Sequence, residues 1–312
     1  MGEIIRLGAD QLADADLDRL FGRYPWYPGA PAMRERLVPA ELLGYRRDEL
    51  QGVIGLTGER DQVMVEPWTP AIAAGLPDED AVALELLERA KEAARAMGTG
   101  LLSIIRDREG SRARTQARWL LDAGFPEVNI RVLMARDLAD PPSLPDRPGL
   151  SYQSVPDPAV LADTAQACYA GSLDPLAAQL SSGGWLDRLR QLREDRLGPY
   201  LPRLSELLRL ESRPAGFYLA TDRGPALRFP AGWVYLADMG IIPELRGQGL
   251  GALLLGRFLA RSREHGYDRA WLTVDDRNSP AQGLYRKSDF RPLELVAVGR
   301  WNAGSAGPSA RS

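Results

Sequence analysis

Two periods of apolar residues alternate along the chain, and the changes between them mark its elements. Ile4-Ile5-Arg6-Leu7 predicts a short strand, and Leu12, Leu17, Leu20 and Phe21 give residues 10–21 helical spacing. The stretch Tyr24-Pro25-Trp26-Tyr27-Pro28-Gly29 is a loop rich in aromatics and proline. Residues 42–47 and 52–56 form a hairpin across Arg47-Asp48-Glu49, and residues 62–66 form a strand stopped by Pro67. Residues 79–97 form an amphipathic helix through Leu84, Leu87 and Ala90 or Lys91, ended by Gly98 and Gly100. A buried strand at 101–105, a helix at 112–121 and an alternating strand at 128–135 follow.

Residues 140–149 carry Pro141, Pro142, Pro145 and Pro148, a stiff non-helical connection expected to link two domains. Beyond it the order repeats. Residues 150–155 form a strand, and 157–170 form a helix with Pro158 in its first turn. Residues 184–210 read as helical and charged, interrupted around Gly198-Pro199. Strands follow at 216–221 and 233–242, around a turn-rich stretch at 222–232. A glycine-rich loop leads into a helix that ends at His265-Gly266, and a buried strand covers 269–274. Ser279 as N-cap and Pro280 open another helix, 292–301 is the closing strand, and 302–312 is small and polar, with disorder expected there.

The halves align as an internal repeat. Residues 62–67 correspond to 236–243, 79–97 to 250–265, 101–105 to 271–275, and Ala123-Gly124-Phe125 to Ser288-Asp289-Phe290. The copies differ where chemistry is expected. The second has Arg246-Gly247-Gln248-Gly249; the first has residues 71–80, with Asp78, Glu79 and Asp80 at its helix start. Carboxylates stabilise a helix N-terminus but repel a pyrophosphate there. Five residues before the phenylalanine the second copy has Tyr285 and the first has Leu120.

A strand, a turn with three glycines and a helix start make a phosphate cradle. Orphan N–H groups point outward, the dipole is positive, and glycine admits a ligand close to the backbone. A Walker loop is excluded because no Gly-Lys-Ser/Thr follows, and Gly247-x-Gly249-x-Gly251 has the wrong spacing for a dinucleotide fingerprint.

Composition narrows the field. A chain of 312 residues suits two domains. A net charge of −3 gives no basic field for nucleic acid. One cysteine, Cys168, and one histidine, His265, leave no disulfide and no Cys or His metal cluster, so no metal is expected. No apolar run reaches membrane-spanning length and no signal-peptide core is seen, so a cytoplasmic protein without a membrane partner is expected.

Arg246-x-x-Gly249-x-Gly251 after a strand resembles the signature of the GCN5-related N-acetyltransferase (GNAT) superfamily. Asn278, the Ser279-Pro280-Ala281 helix start, Tyr285 and Phe290 resemble its later motif, with Asp289 in place of the usual glycine. The resemblance is specific over about 233–290 and looser over 150–301. It implies an α/β (α+β) fold of two tandem GNAT-like domains, each a mixed, largely antiparallel twisted sheet flanked by helices. The expected bounds are 1–139 for a degenerate N-terminal copy, 140–149 for the linker, 150–302 for the catalytic copy and 303–312 for the tail.

The resemblance also implies an acyltransferase that moves an acetyl group from acetyl-CoA to a small-molecule or peptide amine by direct attack. Arg246 and the amides of Gly247, Gln248, Gly249, Leu250, Gly251 and Ala252 would bind the pyrophosphate. Met239, Gly240 and Ile241 would offer backbone groups to the pantetheine arm, and the Ile241 amide would polarise the thioester carbonyl. Tyr285 would be the general acid for the leaving thiolate. Asn278 either binds the cofactor arm or organises its turn. Asp238, Asp275 and Asp276 are alternative bases, each equally readable as a solvated strand end, beside a water relay. His265 reads as a helix C-cap and Cys168 as core, while Trp185 and Tyr200 line the acceptor pocket or simply pack. The reading in another class is a non-catalytic acyl-CoA-binding regulatory module. A monomer or a homodimer fits equally.

Overall fold

The computed structural model describes residues 2–22, 29–37, 41–59, 62–65, 70–107, 111–140, 147–174, 181–193, 198–222 and 231–302. The aromatic loop at 24–28, the stop at Pro67, linker prolines 141, 142 and 145, most of the turn at 222–232 and the tail at 303–312 lie outside these. The chain divides into two compact units, Met1–Arg131 with Glu294–Ser312, and Val132–Leu293.

In chain order the first half supplies β1 (Glu3–Leu7), α1 (Asp14–Phe21), α2 (Ala30–Leu37), β2 (Glu41–Arg46), β3 (Leu50–Glu59), β4 (Gln62–Val65) and β5 (Ala71–Ile72). It continues with α3 (Glu79–Ala96), β6 (Gly100–Asp107), α4 (Ser111–Asp122) and β7 (Glu127–Asp137). The second half supplies β8 (Leu150–Ser154), α5 (Ala162–Tyr169), α6 (Ser182–Arg193), β9 (Glu206–Leu210), β10 (Arg213–Thr221) and β11 (Trp233–Ile241). The glycine loop then leads to α7 (Leu250–Glu264), β12 (Arg269–Asp275), α8 (Ser279–Lys287) and β13 (Arg291–Trp301).

The first unit is a sheet of order β1-β2-β3-β4-β6-β13. Only β4 and β6, joined through α3, run parallel in it; the other neighbours are antiparallel. Alternation divides its core into two faces. Leu43, Tyr45 and Ile54 pack with Leu86, Leu87 and Trp119 from α3 and α4. Their sequence neighbours Leu42 and Val53 pack with Leu17, Leu20, Phe21 and Met33 from α1 and α2.

The second unit repeats this plan in the order β7-β12-β11-β10-β9-β8, with β11 and β12 parallel and joined through α7. Trp185, Leu189 and Leu192 of α6 pack on Leu207, Phe217 and Leu219. On α7, Leu254, Leu255, Phe258 and Leu259 are buried, and Phe258 meets Tyr218 edge to face at 5.6 Å. Helix position is also fixed by charge. Buried Glu206 accepts from Arg257 Nε at 3.0 Å and Nη2 at 3.1 Å, and from the Tyr218 hydroxyl at 2.9 Å.

Three elements differ from the sequence pattern. The helix expected over 184–210 stops at Arg193, and Glu206–Leu210 is a strand that pairs with both β8 and β10. Pro199 and Pro202 remove helix donors, and pairing on both edges then outweighs local spacing. The helix expected from residue 10 begins at Asp14, where the Asp16 carboxylate accepts from Ala13 N at 3.3 Å; residues Ala9–Gln11 form a 3-10 turn. Similarly, Pro158–Leu161 is a 3-10 turn before α5.

Candidate active site

The site begins where β11 leaves β12. The parallel register runs only from Trp233–Arg269 to Tyr235–Trp271, whereas β10 follows β11 as far as Ile241. A register shift at Leu219/Ala220 adds a residue to β11 at this point, and such bulges sharpen local twist. Beyond it Met239, Gly240 and Ile241 line a cleft of about 440 Å³. A Cβ on Gly240 would lie 2.7 Å from Cys168 Cβ, so the close approach of α5 requires glycine.

Pro243–Leu245 makes a 3-10 turn, and Arg246 follows. Gly247 and Gly249 have φ of +75° and +80°, values that L side chains rarely adopt. A Cβ at either would meet nothing within 4 Å, so the glycines serve backbone conformation and leave open space above the loop. Helix α7 takes its first backbone bonds from Ala252 and Leu253, both to Gly249 O, at 3.1 and 3.2 Å. A helix start leaves the preceding N–H groups available to an anion. Arg246 spends Nε on Ile241 O at 3.2 Å and Nη2 on Cys168 O at 2.6 Å, which ties α5 to the end of β11.

The opposite wall comes from α8. Its N-cap is Asn278, whose Oδ1 accepts from Ala281 N at 3.2 Å. This corrects the expected cap at Ser279 by one residue: the Asn278 amide is the acceptor placed to reach the first turn. Asn278 also lines the cleft. Gln282 Nε2 donates to Asp275 O at 3.1 Å and Asp276 O at 2.9 Å, locking the β12–α8 turn. One turn later Tyr285 is buried against Phe290, edge to face at 5.9 Å, and borders the cleft. Asp289, where the family motif has glycine, adopts φ +61°, a conformation aspartate tolerates better than most residues.

Of the residues singled out in the sequence, the cleft therefore gathers Met239, Gly240, Ile241, Arg246, Gly247, Gly251, Asn278 and Tyr285. Gln248, Gly249, Leu250 and Ala252 complete the loop and helix start without lining it, and the Leu250 side chain is buried in the core. Trp185 and Tyr200 are not in the lining. Trp185 is fully buried and stacks on Tyr169 at 4.8 Å, and Tyr200 donates to Val155 O at 2.5 Å. His265 caps α7, with Nδ1 2.8 Å from Arg261 O.

The acids separate into distinct environments. Asp238 is buried behind the cleft, with Arg188 Nη2 at 3.2 and 3.3 Å from its two oxygens. The Tyr169 hydroxyl reaches Asp238 Oδ1 at 3.4 Å and Met239 O at 3.3 Å. Burial, and then the Asp238 charge, push the Tyr169 phenol well above its ordinary value, while Asp238 raises Arg188 further above the usual guanidinium range. Asp275 is fully buried and takes Arg277 Nε and Nη2, each at 3.0 Å. Tyr169 and Arg188 escape sequence reasoning because helix spacing marks Tyr169 only as a neighbour of Cys168, and Arg188 belongs to a charged helix face.

The matching place in the first unit carries ion-paired acids. Asp78 pairs with Arg47, and that hydrogen bond holds its carboxyl below the ordinary value. Asp80 accepts from Arg118 Nη2 and Trp119 Nε1, both at 2.6 Å. Leu120, the counterpart of Tyr285, is fully buried in the core.

Comparison with known proteins finds acetyltransferases. Residues 172–290 match the family model described as the acetyltransferase (GNAT) family. A mycothiol acetyltransferase of Thermobispora bispora is 29% identical over 219 residues, 63% of this chain and 68% of that protein. A ribosomal protein bS18 alanine N-acetyltransferase of Haemophilus influenzae is 37% identical over 60 residues, 19% of this chain and 40% of that protein. The crystal structure of a GCN5-related N-acetyltransferase from Sphaerobacter thermophilus superposes with a TM-score of 0.57 at 18% identity, covering 96% of both chains, and shares the fold. Over residues 172–290 the chain is similar to the GNAT acetyltransferases. It is an acetyltransferase.

Proposed function

We propose that the second unit transfers an acetyl group from acetyl-CoA to a primary amine carried by a small molecule or peptide. The observation that carries this reading is the coincidence, in one cleft, of an open glycine loop at a helix start and a buried tyrosine on the facing wall. The residues present suit a CoA thioester. Gly247 and Gly249 leave space that any side chain would enter, and a Cβ at Gly251 would lie 3.4 Å from Leu284. The parted strands β11 and β12 leave backbone groups of Met239 to Ile241 for an extended arm.

Bound acetyl-CoA would supply an activated thioester carbonyl. The loop amides and the Arg246 charge hold its phosphates. The backbone at Ile241 polarises the carbonyl. Tyr285 holds a proton at Oη for the departing sulfur. Asp238, on the same strand but behind the cleft, would receive the amine proton through the Tyr169 hydroxyl, which borders the cleft, or through water. An amine acceptor also occurs in the name of one relative, which acts on the alanine of a ribosomal protein.

Turnover of acetyl-CoA with an amine panel tests the reading. Tyr285→Phe should lose about 100-fold in kcat while CoA still raises the melting temperature. Unchanged turnover would remove Tyr285 from the chemistry. CoA binding by the wild type without turnover on any amine would favour the regulatory-module reading.

A further inference from the structure

Arg147 stands outside the loop motif and still reaches the loop. Its Nη1 donates to Gln248 O at 2.8 Å, across 101 residues of sequence. The arginine is held in place by the segment around it. Leu150 N bonds Arg147 O at 3.3 Å, Gly149 turns at φ +80°, and Glu211 N bonds Gly149 O at 2.9 Å. Pro148 restricts Arg147 to extended backbone.

The Gln248 carbonyl belongs to the peptide between Gln248 and Gly249. A trans peptide is planar, so its C=O and N–H point in opposite directions. Arg147 on the carbonyl therefore fixes the Gly249 N–H on the far side of that plane. Gln248 Nε2 reaches Glu244 O at 3.4 Å and Gly249 O accepts from Ala252 and Leu253. The peptide between Gln248 and Gly249 nevertheless turns on Gly249, at positive φ, with Gly247 also at positive φ one residue before Gln248, and glycine interconverts between hands at low cost. Arg246 cannot do the same work, since its Nε and Nη2 are committed to Ile241 O and Cys168 O.

We propose that Arg147 is a positioning residue for the phosphate loop: it sets the Gln248–Gly249 peptide so that the Gly249 N–H faces the bound anion. The assignment rests on the CoA reading of this loop. Its effect falls on ligands with phosphates and not on the acetyl-transfer step.

The test compares wild type, Arg147→Ala and Arg147→Lys in the full chain, with CoA affinity by calorimetry and turnover on acetyl-CoA and on phosphate-free S-acetylpantetheine. Loss of one charge-assisted bond should weaken CoA about tenfold in Arg147→Ala. KM for acetyl-CoA should rise with kcat unchanged, turnover on S-acetylpantetheine should not move, and Arg147→Lys should recover part of the loss. The Gly249 amide resonance should shift in Arg147→Ala and return toward the wild-type position in Arg147→Lys. Unchanged CoA affinity in Arg147→Ala, or an equal loss with S-acetylpantetheine, overturns the assignment. A wild-type chain that fails to bind CoA overturns the reading of the loop together with it.

Discussion

Arg188 Nη2 lies 3.2 and 3.3 Å from the two carboxylate oxygens of Asp238, so one donor spans both acceptors. The pair is asymmetric: the Asp238 side chain is 7% exposed and that of Arg188 41%. Removing the acid leaves a cation that water can still reach; removing the cation leaves a buried carboxylate. Arg188→Gln should therefore destabilise more than Asp238→Asn, by about 2–3 against about 1 kcal/mol. Urea unfolding of both single variants and the double variant checks this. Losses that simply add would show the two groups to be uncoupled.

Gly249→Ala separates backbone conformation from space. A Cβ there meets nothing within 4 Å, yet φ is +80°. The expected cost is about 1–2 kcal/mol, all of it conformational. Thermal unfolding should show it, with CoA affinity falling as the loop relaxes. A variant as stable as wild type would mean that the loop keeps its fold at negative φ.

Asn278→Ala should cost about 1 kcal/mol through loss of the cap on α8, and Asn278→Asp should cost little because aspartate caps as well. Ser279→Ala should be close to neutral. The reverse ranking in chemical denaturation would move the cap back to Ser279.

Burial pushes the Cys168 thiol up to about 12, against a small opposing effect of Arg246. Between the ordinary thiol value of about 8.5 and the raised one, the unfolded chain has lost a proton that the folded chain keeps. This group's contribution to stability is therefore intact below that window and declines as pH rises through it. At pH near 8 iodoacetamide should label the native chain far more slowly than the urea-unfolded chain. Equal rates would show the thiol to be accessible and ordinary.

The sequence pattern carries most of the architecture because its strongest signals are local. Glycine at 247 and 249, proline at 243 and 280, and the spacing of α3 and α7 each act through their own backbone. Strand β9 is different. Glu206-Leu207-Leu208-Arg209-Leu210 suits one turn of an amphipathic helix as well as a strand, and the edges of β8 and β10 decide between them. The cluster behind the cleft is non-local in the same way. Tyr169, Arg188 and Asp238 stand 69 and 50 residues apart along the two contacts that join them, and no short motif spans such distances.

The last strand has a consequence for how the chain is made. Residues Leu295 to Trp301 pair with Leu101 to Asp107 in the sheet of the first unit. A ribosome emits the first half long before its closing strand exists. Until then β6 offers an unpaired edge, the kind that recruits foreign strands. Such distant pairing folds slowly, because the loop must close before the contact is formed. The first unit is thus begun before the second and completed after it, and its open edge is exposed to aggregation while the second unit is being made.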